Sequence, residues 1–140
     1  MRATMMLADY AQIADGKLFI SGGGWTTCGP GPTPCGVVAI FHVPWDETDQ
    51  KVNFVLRLLD EDGRGVFQPG ATDGLPVHVN GAFEARRQPG MTEGAEINVP
   101  MAFNIVLQLP PNGRYTWQIE VDGQPDETWG LPFETRPARL

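Results

Sequence analysis

The sequence predicts an all-β chain: a single immunoglobulin-like antiparallel β-sandwich of seven or eight strands with long loops, one domain over residues 1–140. Three observations predict it. Apolar residues recur at every second position in several separate segments. Glycine and proline are abundant, 17 and 13 of 140 residues, where about 12% together is usual. Asp-Gly and Asn-Gly pairs sit between the alternating segments, where hairpin turns are needed.

The strands follow in order. Ala3–Tyr10 and Lys17–Ser21 are joined through Ala14-Asp15-Gly16, a strong hairpin signal. Val37–Val43 is apolar on both phases and is therefore expected at the centre of a sheet. Within Val52–Leu58, positions 52, 54, 56 and 58 are apolar, and Lys51, Asn53 and Arg57 take the other phase. In Val77–Ala85, Val77, Val79 and Phe83 oppose His78, Asn80 and Glu84. Met101–Leu109 is apolar at its odd positions, against Asn104 and Gln108. Tyr115, Trp117, Ile119 and Val121 oppose Thr116, Gln118 and Glu120. Trp129–Thr135 closes the set, with Pro132 confining it to an edge.

Such period-2 patterns put one face on a core and the other in water. Two sheets packed face to face bury all of these faces. Tyr115 near a strand start matches the tyrosine that, in immunoglobulin-like sandwiches, bonds back to the preceding corner. Asp62-Gly63, Asn112-Gly113 and Asp122-Gly123 mark further turns. Three segments read as long loops: Cys28–Gly36, Glu61–Pro76 and Arg86–Pro100. Loops of such length in a compact domain commonly carry function.

Charge narrows the partners. The formal net charge is −7, with only 10 basic residues and no basic run. Nucleic acid and anionic membranes are bound through clustered Lys and Arg, so neither is expected. The apolar stretches are too short to span a membrane. Met5–Ala8 is cut short by Asp9, so no signal peptide is expected.

No catalytic constellation stands out, and the chain is expected not to be an enzyme. Ser21 is the sole serine, and Gly-x-Ser-x-Gly is absent. Ser21-Gly-Gly-Gly24 lacks the Lys-Ser/Thr of a phosphate loop and reads as a bulge. Cys28 and Cys35 could close a small disulfide loop, and a reducing compartment would leave two separate thiols. Their spacing, with only His42 and His78 beside them, is not that of a zinc site. The acidic runs Asp46–Asp49 and Asp60–Gly63 lack the ligand spacing of an EF-hand and read as hairpin caps. Neither a metal nor a cofactor is expected.

The tryptophans say more. Trp117 sits on a core phase. Trp25, Trp45 and Trp129 lie at strand ends beside Gly24, Pro44 and Gly130, and Trp is enriched in binding hot spots. Trp25, Pro44, Trp45 and Trp129 are therefore the candidate partner contacts.

Two stretches and a short third resemble a known group. They are Met6-Leu-Ala-Asp-Tyr-Ala-Gln-Ile-Ala-Asp-Gly-Lys-Leu18 with Ile20-Ser-Gly-Gly-Gly-Trp25, Leu109 to Gly123, and Val43-Pro-Trp-Asp46. The chain resembles a family of small uncharacterised all-β proteins of actinobacteria and their tailed phages. That family has no assigned activity, so the resemblance implies no functional residues. The Cys28–Cys35 segment departs from its pattern.

The reading that joins these observations is a phage structural accessory, a capsid decoration or minor capsid protein. It would bind the virion shell, with the major capsid protein as partner, and could form homo-oligomers. The alternative is a cytoplasmic bacterial module that binds a protein or a small ligand. A hydrolase or metal enzyme ranks third.

Overall fold

In the computed structural model, residues 1–70 and 74–138 are described. Nine strands form among the described residues: β1 Arg2–Ala14, β2 Lys17–Gly23, β3 Thr27–Cys28, β4 Gly31–Val43, β5 Lys51–Asp60, β6 His78–Glu84, β7 Ile97–Leu109, β8 Arg114–Val121 and β9 Gln124–Thr135. The one helical element among the described residues is a 3-10 turn, Trp45–Glu47. The strands make two sheets, in the orders β2-β1-β4-β7 and β3-β9-β8-β5-β6. Every pairing is antiparallel except β3 with β9. The all-β sandwich is thus as the alternation predicts, with one strand more because β3 has only two residues.

The core forms where the inward phases meet. Leu7 of β1, with Cys35, Val37 and Phe41 of β4 and Leu107 of β7, packs onto Phe54, Leu56 and Leu58 of β5 and Trp117 and Ile119 of β8. Phe54 also reaches over its cross-strand partner Gly81, where a Cβ would collide with the ring. The hairpin turns are those the sequence marks. Asp15-Gly16 and Asp122-Gly123 all have positive φ, as two-residue type I′ turns require.

Three local expectations are corrected. Cys28–Gly36 is mostly strand, because β4 begins at Gly31 and pairs with β7 through Pro32 and Pro34. The pairing of β1 with β4 stops at Gly36, so the donors these prolines lack face a side with no partner strand. Arg86–Pro100 is shorter than expected, since β7 starts at Ile97. The corner before β8 is closed by the buried Thr135. Its hydroxyl accepts from Gly113 N–H at 2.8 Å and donates to Pro110 O at 2.8 Å, while its own N–H donates to Gly113 O at 3.0 Å. Tyr115 serves there through its ring, which fills the space a Gly113 Cβ would take. Of the predicted loop Glu61–Pro76, positions 71–73 lie outside the described residues.

Pro132 lies where expected. It pairs with Thr116 of β8, and β3 covers β9 only at Glu134 and Thr135, leaving the edge beside Pro132 open.

Candidate functional site

The β1–β2 hairpin leaves the sandwich. β1 pairs with β4 from Arg2 to Ala8, then only with β2. Beyond Ala8 it crosses over β4 at Gly36. A Cβ there would sit 3.1 Å from Asn104 Oδ1, 3.2 Å from Ala11 N and 3.3 Å from Tyr10 C, so glycine lets the crossing pack this closely. On the far side Asn104 of β7 holds the hairpin. Its Oδ1 accepts from Ala11 N–H at 3.1 Å, and its Nδ2 donates to Ala11 O at 2.7 Å. Ala8 and Ala11 become fully buried under this crossing.

What projects is apolar on both faces. Tyr10 and Phe19 share one phase and are 50% and 52% exposed. Ile13 and Ile20 take the other phase at 41% and 40%, with Met6 beside Ile20 at 37%. A solvated edge hairpin ordinarily alternates apolar with polar. Apolar residues on both phases belong to strands covered on both sides, yet β2 is exposed nearly throughout. Such a cluster of exposed apolar side chains departs from the pattern of a finished surface.

The sequence-predicted contacts disperse. Trp129 is only 8% exposed and belongs to the core. Trp25 is half-buried and meets Phe133 edge-on at 6.2 Å. Pro44 starts the 3-10 turn that carries Trp45. The Trp45 ring lies under the Arg87 guanidinium, 4.0 Å from its centroid. Arg87 also donates to Trp45 O at 2.6 Å and to Thr48 Oγ1 at 2.7 Å, binding the β4–β5 connection to the chain after β6.

Open grooves adjoin β3. One, of about 420 Å³, is lined by Thr26, Glu61, Arg114, Thr116, Pro132 and Glu134 among others. Another, of about 440 Å³, has Asp9, Trp25, Cys28, Pro34 and Arg136 in its walls. Cys28 and Cys35 are free thiols, both buried. Burial raises the Cys28 pKa, against the nearby Arg136 charge. Burial pushes Cys35 up to about 12, although the Trp117 indole N–H lies near enough to lower it somewhat. That N–H makes no full hydrogen bond among the described residues. Thiols held protonated are poor nucleophiles and poor metal ligands.

The histidines serve structure. His42 engages Thr4 Oγ1 and Asn98 Oδ1, each at 2.7 Å, on the sheet face opposite Cys35. His78 Nδ1 donates to Pro76 O at 2.8 Å. Asp60 Oδ1 caps its own turn, accepting from Asp62 and Arg64 N–H at 2.9 and 3.0 Å. Among the described residues, no three His, Cys, Asp or Glu side chains gather as a metal site. No described helix is long and apolar enough to cross a membrane.

The exposed hairpin residues were missed by reading tryptophan at strand ends. The signal was present: Leu18-Phe19-Ile20 is apolar on both phases, as Val37–Val43 is, yet follows directly on the Asp15-Gly16 hairpin turn.

Comparison with known proteins adds one match. A family model described as a family of unknown function (DUF6941) matches residues 3–134. No curated protein and no solved structure matches the chain.

Proposed function

The chain belongs to that family of unknown function, and we propose from its own surfaces that it is a non-enzymatic assembly module that docks onto another protein through the β1–β2 hairpin. One observation carries the reading: the hairpin stands off the sandwich with Tyr10, Ile13, Phe19 and Ile20 each 40–52% exposed. Covering four such side chains is worth several kcal/mol, at about 25 cal/mol per Å² of apolar surface. The rest of the sandwich supplies a rigid mount, and the chain's net charge of −7 opposes non-specific aggregation.

The setting we propose is a tailed-phage virion, with the module decorating the shell. The opening motif, which supports this setting through its resemblance to a family of actinobacteria and their tailed phages, is the docking hairpin itself: Met6–Leu18 and Ile20–Trp25. The major capsid protein is the proposed partner.

Pelleting tests the reading. Tailed-phage shells that lack this protein are mixed with it at micromolar concentration and sedimented. The protein is expected in the pellet, and Tyr10→Asp is expected in the supernatant while still folded. A wild-type protein that stays in the supernatant overturns the virion setting. A Tyr10→Asp protein that pellets like wild type overturns docking through the hairpin.

A further inference from the structure

We infer that β2 is the contact by which two copies of this chain pair, antiparallel and two-fold symmetric about Phe19. The inference concerns the free protein and goes beyond the docking partner proposed above.

The argument begins with hydrogen bonds. The two-residue turn makes Ala14 and Lys17 the closing pair of the hairpin. In such a hairpin the closing pair is hydrogen-bonded, and bonded and non-bonded pairs then alternate. Lys17, Phe19 and Ser21 therefore direct their backbone groups to β1. Leu18 and Ile20 direct theirs outward, to an edge that no described strand covers.

The other edge of the same sheet is blocked. Gln68 places its side-chain amide against β7, its Oε1 accepting from Gln108 N–H at 2.7 Å and its Nε2 donating to Gln108 O at 3.4 Å. Pro100 shares the phase of Gln108, so the donor it lacks is also on that edge. Such devices prevent edge-to-edge association. Between Leu18 and Ser21, β2 has no proline and no charge.

The open groups are self-complementary. Pairing β2 with a second β2 about Phe19 sets Leu18 opposite Ile20 of the second copy, and Ile20 opposite its Leu18. All four residues then use their outward N–H and C=O groups. Phe19 meets Phe19 in a non-bonded pair on one face, and leucine meets isoleucine on the other. Lys17, the one charged residue of β2, falls opposite Ser21 of the second copy. That serine adjoins Gly22, against which the Asp9 carboxylate lies. Attraction between Lys17 and Asp9 thus repeats across the axis. A lone two-stranded hairpin is marginal in water, whereas four strands with apolar faces are not. A foreign strand could use the same edge, but only a second copy brings both halves of this pattern.

Light scattering and cross-linking test it without any shell present. The purified chain, 15.3 kDa as a monomer, is expected at twice that mass at roughly 10–100 µM. Phe19→Cys places two thiols across a non-bonded pair, about 4.5 Å apart at Cα, within disulfide reach. It is expected to oxidise to a covalent dimer, whereas Gln12→Cys, on the β1 side of the hairpin, is not. Ile20→Pro removes only an outward donor and is expected to give a folded monomer. A wild-type chain that stays monomeric to about 1 mM overturns the inference. So does a dimer that Gln12→Cys links as readily as Phe19→Cys. A shell-binding monomer would overturn this pairing and leave the docking reading standing.

Discussion

The side chain of Asn104 pairs with the backbone of Ala11 as a strand would, accepting from its N–H at 3.1 Å and donating to its C=O at 2.7 Å. One side chain thus carries the hairpin across Gly36 and fixes its angle to the sandwich. Removing it leaves two buried backbone groups unpaired, at about 1–3 kcal/mol for each unsatisfied group. Asn104→Ala is expected to lower the urea midpoint and to speed amide exchange throughout β1–β2 more than in β5 or β8. Equal loss of protection in all strands would contradict a local clamp.

Gly113 and Gly123 lie at turns of different kinds, and alanine distinguishes them. At Gly113 a Cβ would collide with the Tyr115 ring, which is buried and cannot yield freely. At Gly123 the space is open, and the cost comes only from its φ of +80°. Gly113→Ala is expected to destabilise by about 1–3 kcal/mol, as overpacking does. Gly123→Ala is expected to cost about 1 kcal/mol. Thermal or urea unfolding of the two variants measures the difference.

The buried thiols make stability fall in alkali. Burial pushes the Cys35 pKa up to about 12, against 9.0 for a free thiol, and raises Cys28 as well. The unfolded chain loses these protons first as pH rises. The Cys35 contribution is therefore complete below about pH 9 and is lost progressively toward pH 12, by at most about 1.4 kcal/mol per pH unit. Urea unfolding between pH 8 and 11 is expected to show this decline, made shallower by Cys35→Ala. At pH 8 neither thiol is expected to react with a thiol reagent until the chain unfolds.

Arg87 holds Trp45 by a fork of hydrogen bonds as well as by charge. Lysine retains charge but cannot reproduce that fork. Arg87→Lys is expected to cost about 1–2 kcal/mol, close to Arg87→Ala, since hydrogen bonds from a charged group contribute about 1.5–3 kcal/mol. It is also expected to shift Trp45 fluorescence toward that of a solvated indole. A lysine variant as stable as wild type would show that charge alone suffices.

Much of the fold was legible in the sequence because period 2 reports burial directly. β5, β7 and β8 alternate cleanly, and Asp15-Gly16 and Asp122-Gly123 sit where type I′ turns form. The start of β4 was not legible, because Pro32 and Pro34 read as loop residues. Only the departure of β1 at Gly36 makes them tolerable in a strand. The Asn104 clamp was hidden for a similar reason: its side chain sits on a polar phase and looks merely solvated. Trp25, Trp45 and Trp129 drew notice as large rings near strand ends, but Phe133, Arg87 and the core respectively engage them. The apolar hairpin needed the topology, since Leu18-Phe19-Ile20 is ordinary in a central strand and anomalous only at an edge.

Amide exchange in β2, followed residue by residue against protein concentration, tests the central claim most directly. In a dilute monomer Phe19 and Ser21 N–H are bonded to β1, while Leu18 and Ile20 N–H face water. The account predicts that Leu18 and Ile20 exchange fast at low concentration and become protected as concentration rises, while Phe19 and Ser21 change little. Leu18 and Ile20 amides that exchange freely at every concentration would contradict it.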